Sequence, residues 1–327
     1  MEKLTYIDLF CGIGGFRIAA EKVCTENNIL PFCKLSCDID DYAKKSYHAN
    51  FGDIPHDDIK KISEDVIPDH DILFAGFPCQ PFSIIGLGKG FGDNRGTLFF
   101  DIVRILQRKR PKAFILENVK QLISHHRGET IKNIVMALKD LGYYVEYRVL
   151  NALDYGLPQK RERIFIVGYH RNINFQWPFK SLKMKPLDEI LEKNVNAKYF
   201  ASEYIRNKRQ ETHNPIVTPS IWHENKSGNI CSYPYSCALR AGASYNYLLV
   251  NGERRLTPRE MLRLQGFPDW YKIVVPYAQI RKQAGNAVPV NLVYAVFNSL
   301  IKFLKEDILK DREKTYGTSG IPALAEC

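Results

Sequence analysis

The sequence has eight cysteines but no CxxC pair among them. Cys33 and Cys37 stand in a CxxxC spacing, with no matching pair and no HxxxH behind them. That argues against a zinc ribbon or finger, and no metal site is expected. No stretch reaches about 18 consecutive apolar residues, so a transmembrane helix is not expected. The opening "MEKLTYIDLFCGIGG" lacks a basic flank, an apolar core and a small-residue cleavage site. It reads as the first strand of a domain and not as a signal peptide. With no secretion signal, reduced thiols and a cytoplasmic location are the expectation. Internal repeats and low-complexity tracts are missing too.

What is present suits a globular protein. The 327 residues are 45% hydrophobic, enough to bury a sizeable core as one large domain or one large and one small. The formal net charge is +10 and the pI about 9.1. That favours a polyanionic partner, although charge alone does not separate a nucleic-acid binder from a merely basic protein.

The first half alternates short apolar runs with helical patterns. "LTYIDLF", "FCKLSCDI", "HDILFAGF" and "KAFILENV" read as strands. "GFRIAAEKVCTEN", "DDYAKKSYHANF", "TLFFDIVRILQRKR" and "GETIKNIVMALKDLG" read as the helices that follow them, the last ended by Gly142. "YYVEYRVLNA" and "RIFIVGYH" add two more strands. The alternation predicts an α/β fold with a doubly wound, mostly parallel sheet. Ligands of such sheets bind beyond the carboxyl ends of the strands. From about 171 to 245 clean periodicity is lost, and eleven Lys/Arg stand against six Asp/Glu. This segment predicts a small, irregular second domain. Order returns with "TPREMLRLQGF", a helix capped by Thr257 with Pro258 at its first position. "NLVYAVFNSLIKFLKEDILKDREK" predicts a long amphipathic helix, and the last ten residues are expected to fray. The expected division is 1–174, 175–250 and 251–327.

Several stretches carry chemistry. In "DLFCGIGGFR" Asp8 ends a strand, Gly12, Gly14 and Gly15 make a turn, and a helix follows. Such glycines let a ligand approach the backbone, and the helix N-terminus attracts an anion. The third glycine comes too early for the dinucleotide GxGxxG, and a tight structural turn would use the same residues. Asp38 follows the second strand, where an acid can hold ribose hydroxyls. Asp58 is another loop acid. Either would equally serve as a solvated surface residue. "FAGFPCQPFS" places Cys79 at a strand exit between Pro78 and Pro81. Cysteines are commonly buried and inert, but a structural thiol needs neither the prolines nor the exit position, whereas a nucleophile is suited by both. Glu117 ends the strand "FILENV" at the same edge. In apolar surroundings its pKa would rise, letting it donate a hydrogen bond as the neutral acid; a capping or salt-bridged Glu is the plainer alternative. In "PQKRERIFIVG", Gln159, Arg161 and Arg163 alternate, which puts both arginines on one side of a strand. Two guanidiniums there suit an anion or a carbonyl oxygen, unless the strand is a solvated edge.

"DLFCGIGGF", "GFPCQPFS", "ENV", "QKRER", "RRLTPREMLRLQGFPDWY" and "QAGNAVPV" occur in the order of the motif set of DNA cytosine-5 methyltransferases. The chain resembles that family, in its compact bacterial restriction–modification form, over almost its whole length except about 180–235. The resemblance implies a Rossmann-like domain binding S-adenosyl-L-methionine, with product S-adenosyl-L-homocysteine. Phe10, Gly12, Gly14, Gly15 and Ile39 would line the cofactor pocket, with Asp38 on the ribose, Asp58 and Ile59 at the adenine, and Pro78 in contact. Asn286 and Ala287 of "GNAVP" would return to complete it. Cys79 would attack cytosine C6, Glu117 would stand at N3, and Arg161 and Arg163 would hold the base and a neighbouring phosphate. The base would have to leave the stack, since a thiol cannot reach C6 inside a duplex. The glycine-bearing segment 83–96 would close over it.

The remaining implications concern DNA. Residues 175–250 would be the target-recognition domain, its basic excess meeting phosphates. Gln80, Ser83, Ile85, Arg95, Gln159 and Arg240 would contact double-stranded DNA, with Ile85 an apolar filler for the vacated stack. Arg206, Lys208, Arg209 and Lys226 are further candidates to read guanine or phosphate. Ala238–Leu239 stands where the family usually has Thr-Leu. One subunit holds every needed part, which predicts a monomer; a cognate endonuclease would not be a stable partner. An RNA methyltransferase shares the catalytic motifs, but its Cys-Phe-Thr signature is missing. A catalytically inactive reader would not need Cys79, Glu117, Arg161 and Arg163 together. A nicotinamide oxidoreductase leaves "PCQ" and "ENV" unexplained.

Overall fold

The computed structural model describes residues 2–78, 98–171, 175–179 and 183–316, the last dozen as backbone only. The chain runs β1 (Glu2–Leu9), α1 (Gly15–Glu26), β2 (Ile29–Cys37), α2 (Asp41–Phe51), β3 (Ile72–Gly76), α3 (Leu98–Lys109), β4 (Ala113–Val119), α4 (Glu129–Asp140) and β5 (Tyr144–Asn151). It continues through β6 (Gln159–Lys160), β7 (Glu162–Tyr169), α5 (Glu203–Thr212), β8 (Ile221–Glu224), β9 (Ile230–Tyr233), β10 (Ser236–Cys237) and β11 (Leu248–Val250). It closes with α6 (Pro258–Leu264), α7 (Tyr277–Asn286) and α8 (Val290–Tyr316).

Six strands form one sheet in the order β2-β1-β3-β4-β7-β5. β1 pairs in parallel with β2 and β3, and β3 with β4. Within this sheet β7 alone runs the other way, antiparallel to both β4 and β5. The sheet is therefore mostly parallel and covered on both faces, as βαβ crossovers require. β1 shows why: Leu4 and Tyr6 pack with Phe16, Phe74 and Phe297 on one face. Ile7 and Leu9 pack with Ile102, Leu106 and Ile134 on the other. Alternate strand residues point to opposite faces, so both parities must be apolar. α3 buries Phe99, Ile102, Val103 and Leu106, spaced to make one stripe. α4 is followed by Gly142 at φ 83°, a left-handed position that glycine takes without strain.

Residues 277–304 are long and apolar enough to cross a membrane. The backbone breaks there between Asn286 and Val290, at Pro289, and Leu292, Val293, Val296 and Leu300 lie in the core beside α1. A buried core pair of helices explains the composition. The cap expected at Thr257 is a full capping box, with the Thr257 hydroxyl and the Glu260 carboxylate satisfying each other's backbone N–H groups.

The segment that lacks periodicity contains α5 and a three-stranded antiparallel sheet, β11-β8-β9. Its strands are three or four residues long, too short to print an alternating pattern. Trp222 is buried there, its indole N–H donating to the Ser220 hydroxyl at 3.1 Å. β10 leaves this group and pairs with β6, which brings residues 236–240 against the motif strand.

Candidate active site

The carboxyl ends of β1, β2, β3 and β4 open onto one cavity of about 590 Å³. That size is in the range of small-molecule sites, about 300–1,000 Å³. Its floor is the turn after β1. Phe10 and Gly12 both take φ 55°, and Gly14 caps α1 at φ 82°. The Gly12 N–H donates to Asp38 Oδ2 at 2.8 Å, and the Asp40 N–H donates to Oδ1 at 2.8 Å. Burial pushes the Asp38 carboxyl up, and these two backbone donors oppose it. Asp40 in turn caps α2, accepting from the Tyr42 and Ala43 N–H groups. Asp58 caps the short turn 59–61 through the Lys60 N–H.

Phe10, Gly12, Gly15, Asp38, Ile39, Asp58, Ile59, Pro78, Asn286 and Ala287 all line this cavity, as do Glu117, Arg161 and Arg163. Gly14 does not: a Cβ there would meet the Phe51 ring at 2.3 Å, so it faces α2. Ile39 is 73% exposed, a bare apolar face at the rim. Cys79, Gln80, Ser83, Ile85 and Arg95 lie outside the described residues, as does the rest of 79–97.

Glu117 sits at the end of β4, beside Gly76 of β3 and Phe165 of β7. Its Oε1 is 2.9 Å from Arg163 Nε. Burial raises its pKa, while Arg163 and then Arg161 pull it down; burial wins. The acid is thus held near a cation yet biased toward its neutral form.

Arg161 and Gln159 depart from expectation. The Gln159 side chain is buried, donating to the Leu264 carbonyl at 2.8 Å and accepting the Leu239 N–H at 3.1 Å. With both ends of the amide used inside the protein, it has no face for DNA. Arg161 is 1% exposed. Its guanidinium donates to the carbonyls of Leu239, Gly285 and Ala287, each at 2.9 Å. A phosphate cannot reach it in this arrangement. Burial, then Arg163, push it down to about 9, so it stays protonated at neutral pH. Arg209 is likewise buried, ion-paired with Glu224 at 2.6 Å, and is not a free DNA reader. Arg240 is exposed, over the Tyr247 ring at 4.8 Å.

Residues not singled out in the sequence also build the site. Asn118 is buried and donates to the Phe77 carbonyl at 2.9 Å, fixing the strand exit just before Pro78. The "ENV" motif contains it, but nothing local says where its amide goes. Lys282 reaches from α7 to Asp40 at 2.6 Å, across the cavity mouth. The Ser46 hydroxyl donates to the buried Gln283 side chain at 3.0 Å. Among the described residues, no cluster of His, Cys, Asp and Glu is arranged to hold a metal.

A glycine turn feeding a helix, an acid after the second strand and a cavity at the strand ends define an α/β enzyme that binds a nucleoside-containing cofactor. The comparisons narrow this. The model of the C-5 cytosine-specific DNA methylase family matches residues 4–302, and the chain belongs to that family. It is a DNA (cytosine-5-)-methyltransferase whose methyl donor is S-adenosyl-L-methionine. It is 56% identical over 293 residues to the type II methyltransferase M.NgoBI of Neisseria gonorrhoeae, covering 88% of this chain and 90% of that one. It is 53% identical over 307 residues to the type II methyltransferase M.HaeII of Haemophilus aegyptius, covering 93% and 95%. Among solved structures, the Entamoeba histolytica methyltransferase EhMeth aligns with a TM-score of 0.70 at 20% identity, over 94% of this chain and 99% of that one, which supports the fold.

Proposed function

We propose that this chain methylates C5 of a cytosine flipped out of double-stranded DNA, through a covalent bond from Cys79 to C6, as the sequence-specific methyltransferase of a type II restriction–modification system. The observation that carries the reading is the shared cavity: Glu117 and Arg163 open into the same space as the glycine turn, Asp38 and Asn286. Catalytic and cofactor groups therefore face one volume.

The residues present fit the cofactor. A Cβ at Gly12 would meet nothing within 4 Å, so the turn leaves open space above its backbone. Asp38, held by two backbone donors, has lone pairs left for ribose hydroxyls. The exposed Ile39 offers an apolar face to a purine, with Asp58 and Ile59 beyond. Phe10, Pro78 and Ala287 supply the rest of the wall. When bound, S-adenosyl-L-methionine supplies an electrophilic methyl group.

The protein's own residues prepare C5 to receive it. The Cys79 thiolate adds to C6, forming the S–C6 bond and moving the ring electrons toward C5 and N3. Glu117 hydrogen-bonds N3 as the neutral acid, meeting the charge that builds there, and Arg163 holds both Glu117 and the base near O2. After C5 is methylated, water removes the C5 proton. The S–C6 bond then breaks, its electron pair returning to sulfur. Splitting the reaction in this way replaces one difficult step with easier ones. Residues 175–250 act as the target-recognition domain, with Arg240 at the surface that meets DNA, and the working unit is a monomer.

The test uses plasmid-derived duplexes carrying 5-fluorocytosine, incubated with enzyme and S-adenosyl-L-methionine and run on a denaturing gel. Fluorine cannot leave as the proton does, so the covalent species accumulates. The expected result is a shifted band that disappears in Cys79→Ala. Wild-type turnover by Cys79→Ser, or a band that persists in Cys79→Ala, removes Cys79 from the role. Labelling of RNA but not of duplex DNA overturns the substrate assignment.

A further inference from the structure

We infer that Arg161 is a positioning residue that couples DNA recognition to cofactor binding, tying the end of the recognition segment to the motif that closes the cofactor pocket. The inference rests on the reading that residues 175–250 meet DNA.

Its basis is where one buried guanidinium spends its hydrogen bonds. Among the described residues, Arg161 bonds no carboxylate. It donates to Leu239, at the end of the recognition segment, and to Gly285 and Ala287, at the end of α7. Ala287 and its neighbour Asn286 line the cofactor cavity. One side chain thus holds two backbones separated by about 46 residues of chain, both next to functional surfaces. The two backbones also touch. A Cβ at Gly285 would lie 2.3 Å from the Ala241 nitrogen and 2.7 Å from the Arg240 carbonyl carbon. A second arginine staples the same pair from outside: Arg281 of α7 donates to the Ala243 and Ser244 carbonyls and lies 4.1 Å over the Tyr245 ring.

The geometry gives the coupling its mechanism. A guanidinium is planar, with its donors in a fixed fork. If DNA shifts residues 239–245, the fork cannot follow the Leu239 carbonyl without loosening Gly285 or Ala287. Arg161 Nε has no partner among the described residues, so the fork has no spare bond to fall back on; losing a further one at a buried site is costly, and the two backbones are stable together in few arrangements. A ligand that stabilises one arrangement on the recognition side thereby stabilises the matching wall of the cofactor pocket. Linkage makes the effect reciprocal: DNA tightens cofactor, and cofactor tightens DNA by the same factor. A lysine would keep the charge but could not span three carbonyls.

The experiment measures the dissociation constant of S-adenosyl-L-homocysteine by titration calorimetry, with and without a saturating 30-base-pair duplex cut around a cytosine that the enzyme methylates. The ratio of the two constants is the coupling factor. The wild-type factor should be at least about fivefold, the lower end of usual couplings. In Arg161→Lys it should fall to about one, while each ligand alone still binds. Arg281→Ala, an exterior change that keeps the core, should lower the factor part of the way, which preserves the test if Arg161→Lys does not fold. A merely structural Arg161 would instead lower melting temperature and both affinities with the factor unchanged, and that result overturns the inference. So does a wild-type factor of one, or an undiminished factor in both variants. Failure of the duplex to bind at all would strike the DNA reading itself.

Discussion

Gly15→Ala isolates the packing between the glycine turn and the returning motif. Gly15 does not lie at positive φ, so alanine brings no backbone strain there. Its Cβ would instead meet Val288 Cγ1 at 2.8 Å and the Val288 carbonyl oxygen at 2.9 Å. Ordinary carbon contacts begin at about 3.5 Å, so Val288 must retreat by about 0.6 Å or more. Val288 adjoins Ala287 and lines the same cavity, so the retreat deforms the cofactor wall. Overpacking of this kind costs about 1–3 kcal/mol. If the cofactor-competent wall carries that cost, the dissociation constant rises by about 5- to 150-fold, at tenfold per 1.4 kcal/mol. Gly12→Ala is the contrast. There φ is 55° and a Cβ meets no protein atom within 4 Å, so the cost within the protein is conformational, about 1–2 kcal/mol, and the methyl crowds only the space left for the cofactor. Calorimetric titration with S-adenosyl-L-homocysteine should show Gly15→Ala partly rescued by Val288→Ala, which removes the Cγ1 contact but leaves the carbonyl. Gly12→Ala should gain nothing from that second change. Wild-type affinity in Gly15→Ala, or equal rescue of both variants, would refute the reasoning.

Two further predictions concern buried acids. Glu117→Gln keeps the shape at N3 but exchanges an acidic O–H for a much weaker amide N–H donor, and single-turnover methylation should slow by about 10²- to 10⁴-fold. The wild-type rate should fall as pH rises through the elevated Glu117 pKa, and the variant should lack that limb; a slowdown under tenfold would remove Glu117 from this role. Asp8 is fully buried, and neither carboxylate oxygen has a hydrogen-bond partner among the described residues. Burial pushes its pKa well up, with Arg17 opposing and Asp38 adding. The folded state therefore holds the proton longer than the unfolded chain, and wild-type stability falls as pH rises from the unfolded value of about 3.9 toward the folded one. An asparagine side chain does not titrate, so the melting temperature of Asp8→Asn relative to wild type should climb over that window; a constant difference from about pH 4.5 to 8 would contradict it.

The strand–turn–helix units were legible in the sequence because each is local. "DLFCGIGGF" states its strand, its left-handed turn and its helix within a dozen residues, and Thr257–Glu260 announces its own cap. The cavity lining at Asp38 and Glu117 follows from position at strand ends, whereas Asp58, at the cap of a short turn, and Asn286, at the end of α7, were placed only by the family resemblance. What failed was any inference that needed the other side of a contact. Strand alternation put Arg161 and Arg163 on one side but could not show that the Leu239 carbonyl, 78 residues later, takes up the Arg161 guanidinium. The same ignorance made Gln159 and Arg209 look available to DNA. α7 escaped notice because its apolar residues are few and its ends are set by Pro276 and the motif it leads into. The strands between residues 221 and 250 are too short for a period of two to register.

The packing of α8 on α1 has a consequence for synthesis. Tyr294 bonds Glu26, Asn298 bonds Asn27, and Phe297 lies against Phe74 of the central sheet. A ribosome that has made every motif up to β7 has not yet made the helix that covers one face of the sheet, nor the residues that close the cofactor wall. Until α8 emerges, that face of the sheet lacks part of its apolar cover. The cavity lining is therefore completed only after residues 175–250 have been translated, because Asn286 and Ala287 follow them in the chain.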